Sequence, residues 1–144
     1  MSDEVKTYDP KLFSLILAGI PISGLAEGTF MKAERESDNF TDVAGTMGEV
    51  ARAHQHDRRG TFTFSILHTS PMNDIISAIA KRDEEFNSGV SAVLVKDHAG
   101  TTVCSASQAW VKKWPDEERA KDVGKYEWVL RCANLETFKG GSII

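Results

Sequence analysis

The sequence predicts a mainly β, α+β domain: an antiparallel β-barrel or sandwich with one flanking α-helix. Short apolar or alternating segments recur between glycine, proline and aspartate turns, enough for six or seven strands. They follow one another in hairpin order, without the strand–helix alternation of a parallel sheet. A single stretch carries helical spacing behind a serine–proline start. At 144 residues, 41% hydrophobic and 26% charged, the chain has the size and composition of one soluble globular domain, 1–144.

Residues 1–10 are polar, end at Pro10 and read as an N-terminal arm. Phe13 to Ile20 is a compact apolar run bounded by turn residues, which suits a buried strand. Thr29 to Glu36 is a strand of mixed character: Phe30, Lys32 and Glu34 share one parity, Met31, Ala33 and Arg35 the other. Ser37 to Gly48 lacks a pattern and reads as a long loop, and loops of that length are usually functional or mobile. Glu49 to His54 has the makings of a strand, and Asp57 to Gly60 of a turn. Thr61 to His68 (TFTFSILH) is the clearest strand, with Phe62, Phe64 and Ile66 on one face and Thr61, Thr63 and Ser65 on the other. The helix is placed at 71–86, with Ser70 as N-cap, Pro71 as first helical residue and Ile75, Ile76, Ile79 and Phe86 on the apolar stripe. Ser91 to Lys96, Thr101 to Lys112 and Lys125 to Ala133 are further strands, and Asn134 to Ile144 reads as irregular. Symmetric pairing of the strands at 101–112 and 125–133 about residue 118 sets Trp110 against Tyr126, Gln108 against Trp128 and Cys104 against Cys132.

The chemistry that the residues offer is sparse. A formal charge of −4 argues against a broad basic surface for nucleic acid. The start, Met-Ser-Asp-Glu-Val-Lys, lacks the pattern of a secretion signal. The longest apolar run, Leu15 to Leu25, is broken by Gly19, Pro21, Ser23 and Gly24 and is too short to span a bilayer. With only two cysteines, free thiols in a reducing compartment are expected. His54 and His56, near Asp57 and His68, are the best metal candidates, but a zinc site needs three or four converging ligands, and they read instead as solvated histidines beside a turn. There is no nucleophile elbow, and Gly45-Thr46-Met47-Gly48 has no following lysine to make a phosphate loop. Asp116, Glu117 and Glu118 read as a solvated loop. The expectation is a non-enzyme with no metal and no cofactor. Trp110, Trp114, Tyr126 and Trp128 read as core and subunit-contact aromatics in preference to a stacking platform for single strands. Arg52, Arg58 and Arg59 with Asp38, Asp42, Glu49 and Asp57 are either ordinary surface charge or inter-subunit pairs.

From Asn39 to Asn73 the chain reads NFTDVAGTMGEVARAHQHDRRGTFTFSILHTSPMN. Phe40-Thr41, the turn Gly45-x-x-Gly48-Glu49, Arg52, Asp57 with Gly60, the alternating strand to Leu67, and Thr69-Ser70-Pro71 with Asn73 carry a likeness. Pro115-Asp116, Glu127-Trp128, Asn134-Leu135-Glu136 and the glycine pair near the end extend it. In this order they resemble the tail tube proteins of contractile-tailed bacteriophages. The resemblance implies a tail tube-like antiparallel barrel whose strands join those of its neighbours in hexameric rings. The rings stack into a tube within a contractile sheath, and double-stranded DNA is ejected through the lumen without specific binding. It implies partners besides the chain itself: tail sheath, tape-measure, baseplate and tail-terminator proteins. It implies a place in the virion tail, with assembly in the host bacterial cytoplasm. The long loop, taken as 37–53, is then the element that reaches the adjacent ring. Its contact candidates are Asp38, Phe40, Asp42, Gly45, Gly48, Glu49, Arg52, Asp57, Arg58 and Arg59. A net negative bore is expected, since acidic side chains repel the phosphate backbone. Rival readings are the tube of a phage-tail-like bacteriocin or type VI-like injection apparatus and, in a different class, a small ligand-binding β-barrel.

Overall fold

A computed structural model describes residues 5–25, 28 and 31–141 of the chain. The arm's first four residues, together with Thr29 and Phe30 of the second expected strand, lie outside the described residues. A 3-10 turn, Pro10–Leu12, leads into β1 (Phe13–Leu17) and β2 (Ile20–Pro21). One continuous strand to Ile20 was expected; instead Ala18 and Gly19, both at positive φ, turn the chain so that Ile16 pairs with Pro21. Then come β3 (Met31–Arg35), β4 (Phe40–Ala44), β5 (Val50–His54), β6 (Gly60–Leu67), α1 (Met72–Phe86), β7 (Ser91–Asp97), β8 (Val103–Lys113), β9 (Lys125–Cys132) and β10 (Leu135–Phe138).

Among the described residues eight strands form one antiparallel sheet in the order β2-β1-β7-β8-β9-β6-β3, with β10 added to β8. The chain leaving β2 returns to β6: the Gly24 carbonyl accepts the Leu67 N–H at 2.9 Å, and Leu25 bridges Ile66. That return draws the two ends of the sheet together and curls it into a barrel. The expected faces of β6 hold, with Phe62, Phe64 and Ile66 at most 1% exposed. They pack with Trp128, Leu130, Leu15, Leu17 and Val95 in one core.

The helix forms where the sequence places it. It runs from Met72, one residue later than expected, with Pro71, already at helical φ, in the N-cap position, and the Ser70 hydroxyl just before it accepts the Met72 N–H at 3.3 Å. Asn87, left-handed at φ 55, ends the helix. Ile76 and Ala80 are buried, and the Trp128 indole N–H donates to buried Asn73 at 3.1 Å, tying helix to sheet. Phe86 does not join the stripe; it is 72% exposed in the last turn, beyond the final core residue Ala80.

Two further expectations are corrected. The symmetric register fails: Trp110 pairs with Arg131 and Ala109 with Cys132, while Tyr126 and Trp128 pair with Ile66 and Phe64 of β6. A bulge between Val111 and Lys113 and the long connection from Trp114 to Gly124 offset β8 from β9. Cys104 therefore lies opposite Val95 and Thr137 instead of Cys132. Both thiols are free and buried; burial raises each, and Cys132, raised further by the charge Cys104 would carry, is pushed up to about 11. The tail is not wholly irregular either, because β10 covers the first half of β8. Its Leu135, 1% exposed, fills the space left by Gly60, where a Cβ would stand 2.4 Å from the leucine side chain.

Candidate functional site

Residues 37–53, expected as a loop, form most of a hairpin. β4 and β5 pair Phe40 with His54, Thr41 with Ala53, Asp42 with Arg52, Val43 with Ala51 and Ala44 with Val50. The tip spans residues 45–49. There the Gly48 N–H donates to the Gly45 carbonyl at 3.1 Å and the Gly45 N–H to the Glu49 carbonyl at 2.7 Å. Gly48, at φ +88, takes a conformation that side-chain-bearing residues rarely adopt. Glu49 also folds its carboxylate against Gly45, where a Cβ would stand 2.6 Å from an oxygen. Every residue from 38 to 54 is exposed, so the hairpin projects with both faces in water.

The two faces differ, since alternate residues point to opposite sides. Thr41, Val43, Ala51 and Ala53 make one face small and mostly apolar. The other carries a stack: the Arg52 guanidinium lies 4.1 Å from the Phe40 ring centroid, Phe40 stacks on His54 at 5.0 Å, and His54 lies 4.5 Å from His56. Arg58 reaches His54 at 3.5 Å. The histidines singled out in the sequence thus stand on the hairpin beside cations. Among the described residues no three His, Cys, Asp or Glu side chains converge as a metal-ligand set.

The base of the hairpin is fastened. The Ser37 hydroxyl donates to Asp57 at 2.8 Å, and Arg59 grips both Asp57 oxygens at 2.9 and 3.0 Å. The Arg59 hydrogen bonds, with help from Ser37, hold the Asp57 carboxyl well below the usual carboxylate range. Beside them Arg131 bonds Glu36 at 2.9 Å, and the Arg58 carbonyl accepts the Leu135 N–H at 2.8 Å. The ten contact candidates thus fall into two groups. Asp38, Phe40, Asp42, Gly45, Gly48, Glu49 and Arg52 lie on the projecting hairpin, while Asp57, Arg58 and Arg59 lie at its foot, where Asp57 and Arg59 engage each other. Sequence reasoning missed the exposed apolar residues at and beside the tip: Met47 is 84%, Val50 71% and Val43 67% exposed, the two valines on opposite faces.

It also missed a groove at the far end of β6, where β9 begins and β8 and α1 have their ends. The Trp114 indole meets Trp128 at 5.8 Å and bonds Glu84. His68 packs on Tyr126 at 4.1 Å, and its Nε2 is a buried atom without a hydrogen-bond partner. The Tyr126 hydroxyl donates to Glu117 at 2.5 Å and accepts from Arg119 at 3.0 Å. That bond lowers the Glu117 carboxyl and raises the Tyr126 phenol. One lobe of the groove has a volume of about 550 Å³.

The fold as a whole has counterparts among solved structures. The sheath/tube terminator of an extracellular contractile injection system is similar over 96% of this chain and all of its own, with TM-score 0.63 and 12% identity. A chain of the sheath–tube complex of such a system gives TM-score 0.58 at 13% identity, over 88% of this chain and 87% of its own. The tube-terminating cap of the anti-feeding prophage gives 0.57 at 12% identity, over 95% of each chain. In sequence, the structural protein ORF10 of Pseudomonas phage KPP10 is 24% identical over 99% of this chain and 87% of its own length. The profile of the family described as bacteriophage PhiTE tail tube protein matches residues 21–140. The chain belongs to that family of phage tail tube structural proteins.

Proposed function

We propose that the chain is the repeating subunit of a phage tail tube: six copies close a ring, rings stack, and the genome leaves through the lumen. The observation that carries this reading is the hairpin. Seventeen consecutive residues, 38–54, stand exposed on two strands that pair only with each other. An isolated two-stranded hairpin is marginal in water, and a protein gains by covering its faces with a neighbour. Reaching the next ring accounts for the projection, for the fastened base that holds its direction, and for the apolar tip. The sheet supplies the other half of the case: its end strands, two-residue β2 and β3, are not paired with each other, the barrel being closed there by the Leu25–Ile66 bridge and the Gly24–Leu67 hydrogen bond, so copies around a ring have backbone groups to complete. A carrier's ligand would need the space that Phe62, Phe64, Trp128 and Leu130 already occupy.

The same reading gives the tube a contractile sheath outside, a tape-measure protein and then double-stranded DNA inside, and terminator and baseplate proteins at its ends. It places the assembled protein in the virion tail after assembly in the bacterial cytoplasm. A formal charge of −4 supports a net negative bore that DNA slides past without binding. Among the described residues no helix is long and apolar enough to cross a membrane. The folds shared with injection-system components favour a second reading, a tube that carries no genome, and packaging by the assembled particle separates the two. Negative-stain microscopy of the purified chain tests the assembly itself: stacked rings are the expected result, and solitary subunits at high concentration contradict it.

A further inference from the structure

β8 and β9 are joined by eleven residues, Trp114 to Gly124, that form neither helix nor strand. Irregular connections of that length are uncommon in compact domains. The segment stands off the barrel: Asp116, Glu118 and Ala120 line a space of about 480 Å³ on one side, and Glu117 and Arg119 line the lobe of about 550 Å³ on the other. Three attachments hold it down. At one end Trp114 bonds Glu84, lies 5.6 Å from the Lys81 ammonium and meets Trp128. In the middle the Tyr126 hydroxyl donates to Glu117 and accepts from Arg119, which itself bonds Glu117 at 2.7 Å. At the other end the Gly124 carbonyl accepts the His68 N–H at 3.0 Å. We propose that residues 115–124 are a lid that opens as one unit while the barrel stays folded, hinged at Trp114 and latched by the triangle of Glu117, Tyr126 and Arg119. Such a lid is a property of the single subunit and stands apart from the stacking reading.

Closing the lid has a cost. It leaves His68 Nε2 buried without a hydrogen-bond partner, and an orphaned buried nitrogen costs more than an average hydrogen bond returns. It also presses Gly124 against the His68 ring, where a Cβ would stand 2.9 Å from Cε1 and 3.5 Å from Nε2, so only a glycine lets the chain come this close. The latch opposes that cost. Glu117 and Arg119 are 58% and 67% exposed, and an ion pair so wet contributes little alone. What ties the pair to the barrel is the Tyr126 hydroxyl, which has a charged partner on each side. Opening returns His68 Nε2 to water and joins the two lobes into one recess between α1 and β9. The core does not need the lid, since Trp128 keeps its indole bond to Asn73 and its place against Phe64 in the sheet.

Hydrogen exchange of the folded subunit, resolved to single amides by NMR, tests this. The His68 N–H reports the lid, because its bond to Gly124 breaks on opening. The amides of Phe62 and Phe64, on a strand flanked by both β3 and β9, report the barrel. Tyr126→Phe keeps the ring and removes the latch, and is expected to speed His68 exchange about tenfold with Phe62 and Phe64 unchanged. Gly124→Ala is expected to give the same pattern. If the His68 amide of the native chain exchanges in step with Phe62 and Phe64, the two open only together and the lid is overturned. An unaltered His68 rate in Tyr126→Phe overturns the latch. Should Tyr126→Phe melt early, Arg119→Gln loosens the same triangle from the lid side and is held to the same two outcomes.

Discussion

Asp57 is the residue on which the hairpin's direction turns. Its carboxylate is engaged by Ser37 and Arg59 and braces the foot of the hairpin. A carboxyl held below its unfolded value stabilises the fold above the ordinary aspartate range, about pH 4, and that contribution is lost as pH falls through the folded value. Proteolysis of the hairpin is therefore expected to speed up at acid pH in the native chain, and Asp57→Asn to show the faster cleavage already at pH 7. The Cys132 thiol works in the opposite sense: raised to about 11, it favours the fold below its unfolded value near 8.5, and the benefit disappears as pH climbs toward 11. Denaturation midpoints that fall between pH 9 and 11 in the native protein and stay level in Cys132→Ala would show this. From the sequence Asn73 entered only as part of the likeness at the start of the helix. In the fold it also accepts the Trp128 indole proton and caps the Leu67 and Ser70 carbonyls at 2.9 and 3.1 Å. Asn73→Ala should cost about 1–3 kcal/mol in urea unfolding, since it orphans a buried donor.

At the scale of elements, the parts that sequence reasoning places correctly are those whose pattern reports burial. The strand holding Phe62, Phe64 and Ile66 alternates because one face is core, and the helix announces itself through Ser70-Pro71 and its isoleucines. Of the hairpin, the sequence marked β5, read as Glu49 to His54, but not β4: both faces are in water, so no apolar alternation marks the strand inside the expected loop. β10 escaped because its four residues bury only Leu135. The β8–β9 register was hidden by the bulge and the long connection, which residue type does not specify. Likewise the Trp114 groove joins residues far apart in sequence, so the sequence carried the aromatics but not their meeting. Two variants follow from the elements. Gly60→Val should destabilise the subunit by about 1–3 kcal/mol, because its side chain collides with Leu135 and the Glu34 carbonyl. Deleting Asp42 to Gly48 should leave a folded subunit with an unchanged melting profile and rings that stack poorly. Pro71→Ala, by contrast, should be mild, since the Ser70 hydroxyl still accepts the Met72 N–H.

For the molecule as a whole, family membership and fold agree on a tube subunit, and the exposed hairpin gives that assignment a mechanical content. On the proposed reading, a lone copy leaves strand edges and a two-stranded projection that identical neighbours would cover. Cryo-electron microscopy of tubes assembled from the purified chain tests this most directly. The account predicts six-fold rings in which density for residues 38–54 crosses into the adjacent ring. Rings whose hairpins stay folded back on their own subunit, or a protein that remains monomeric at high concentration, would contradict it.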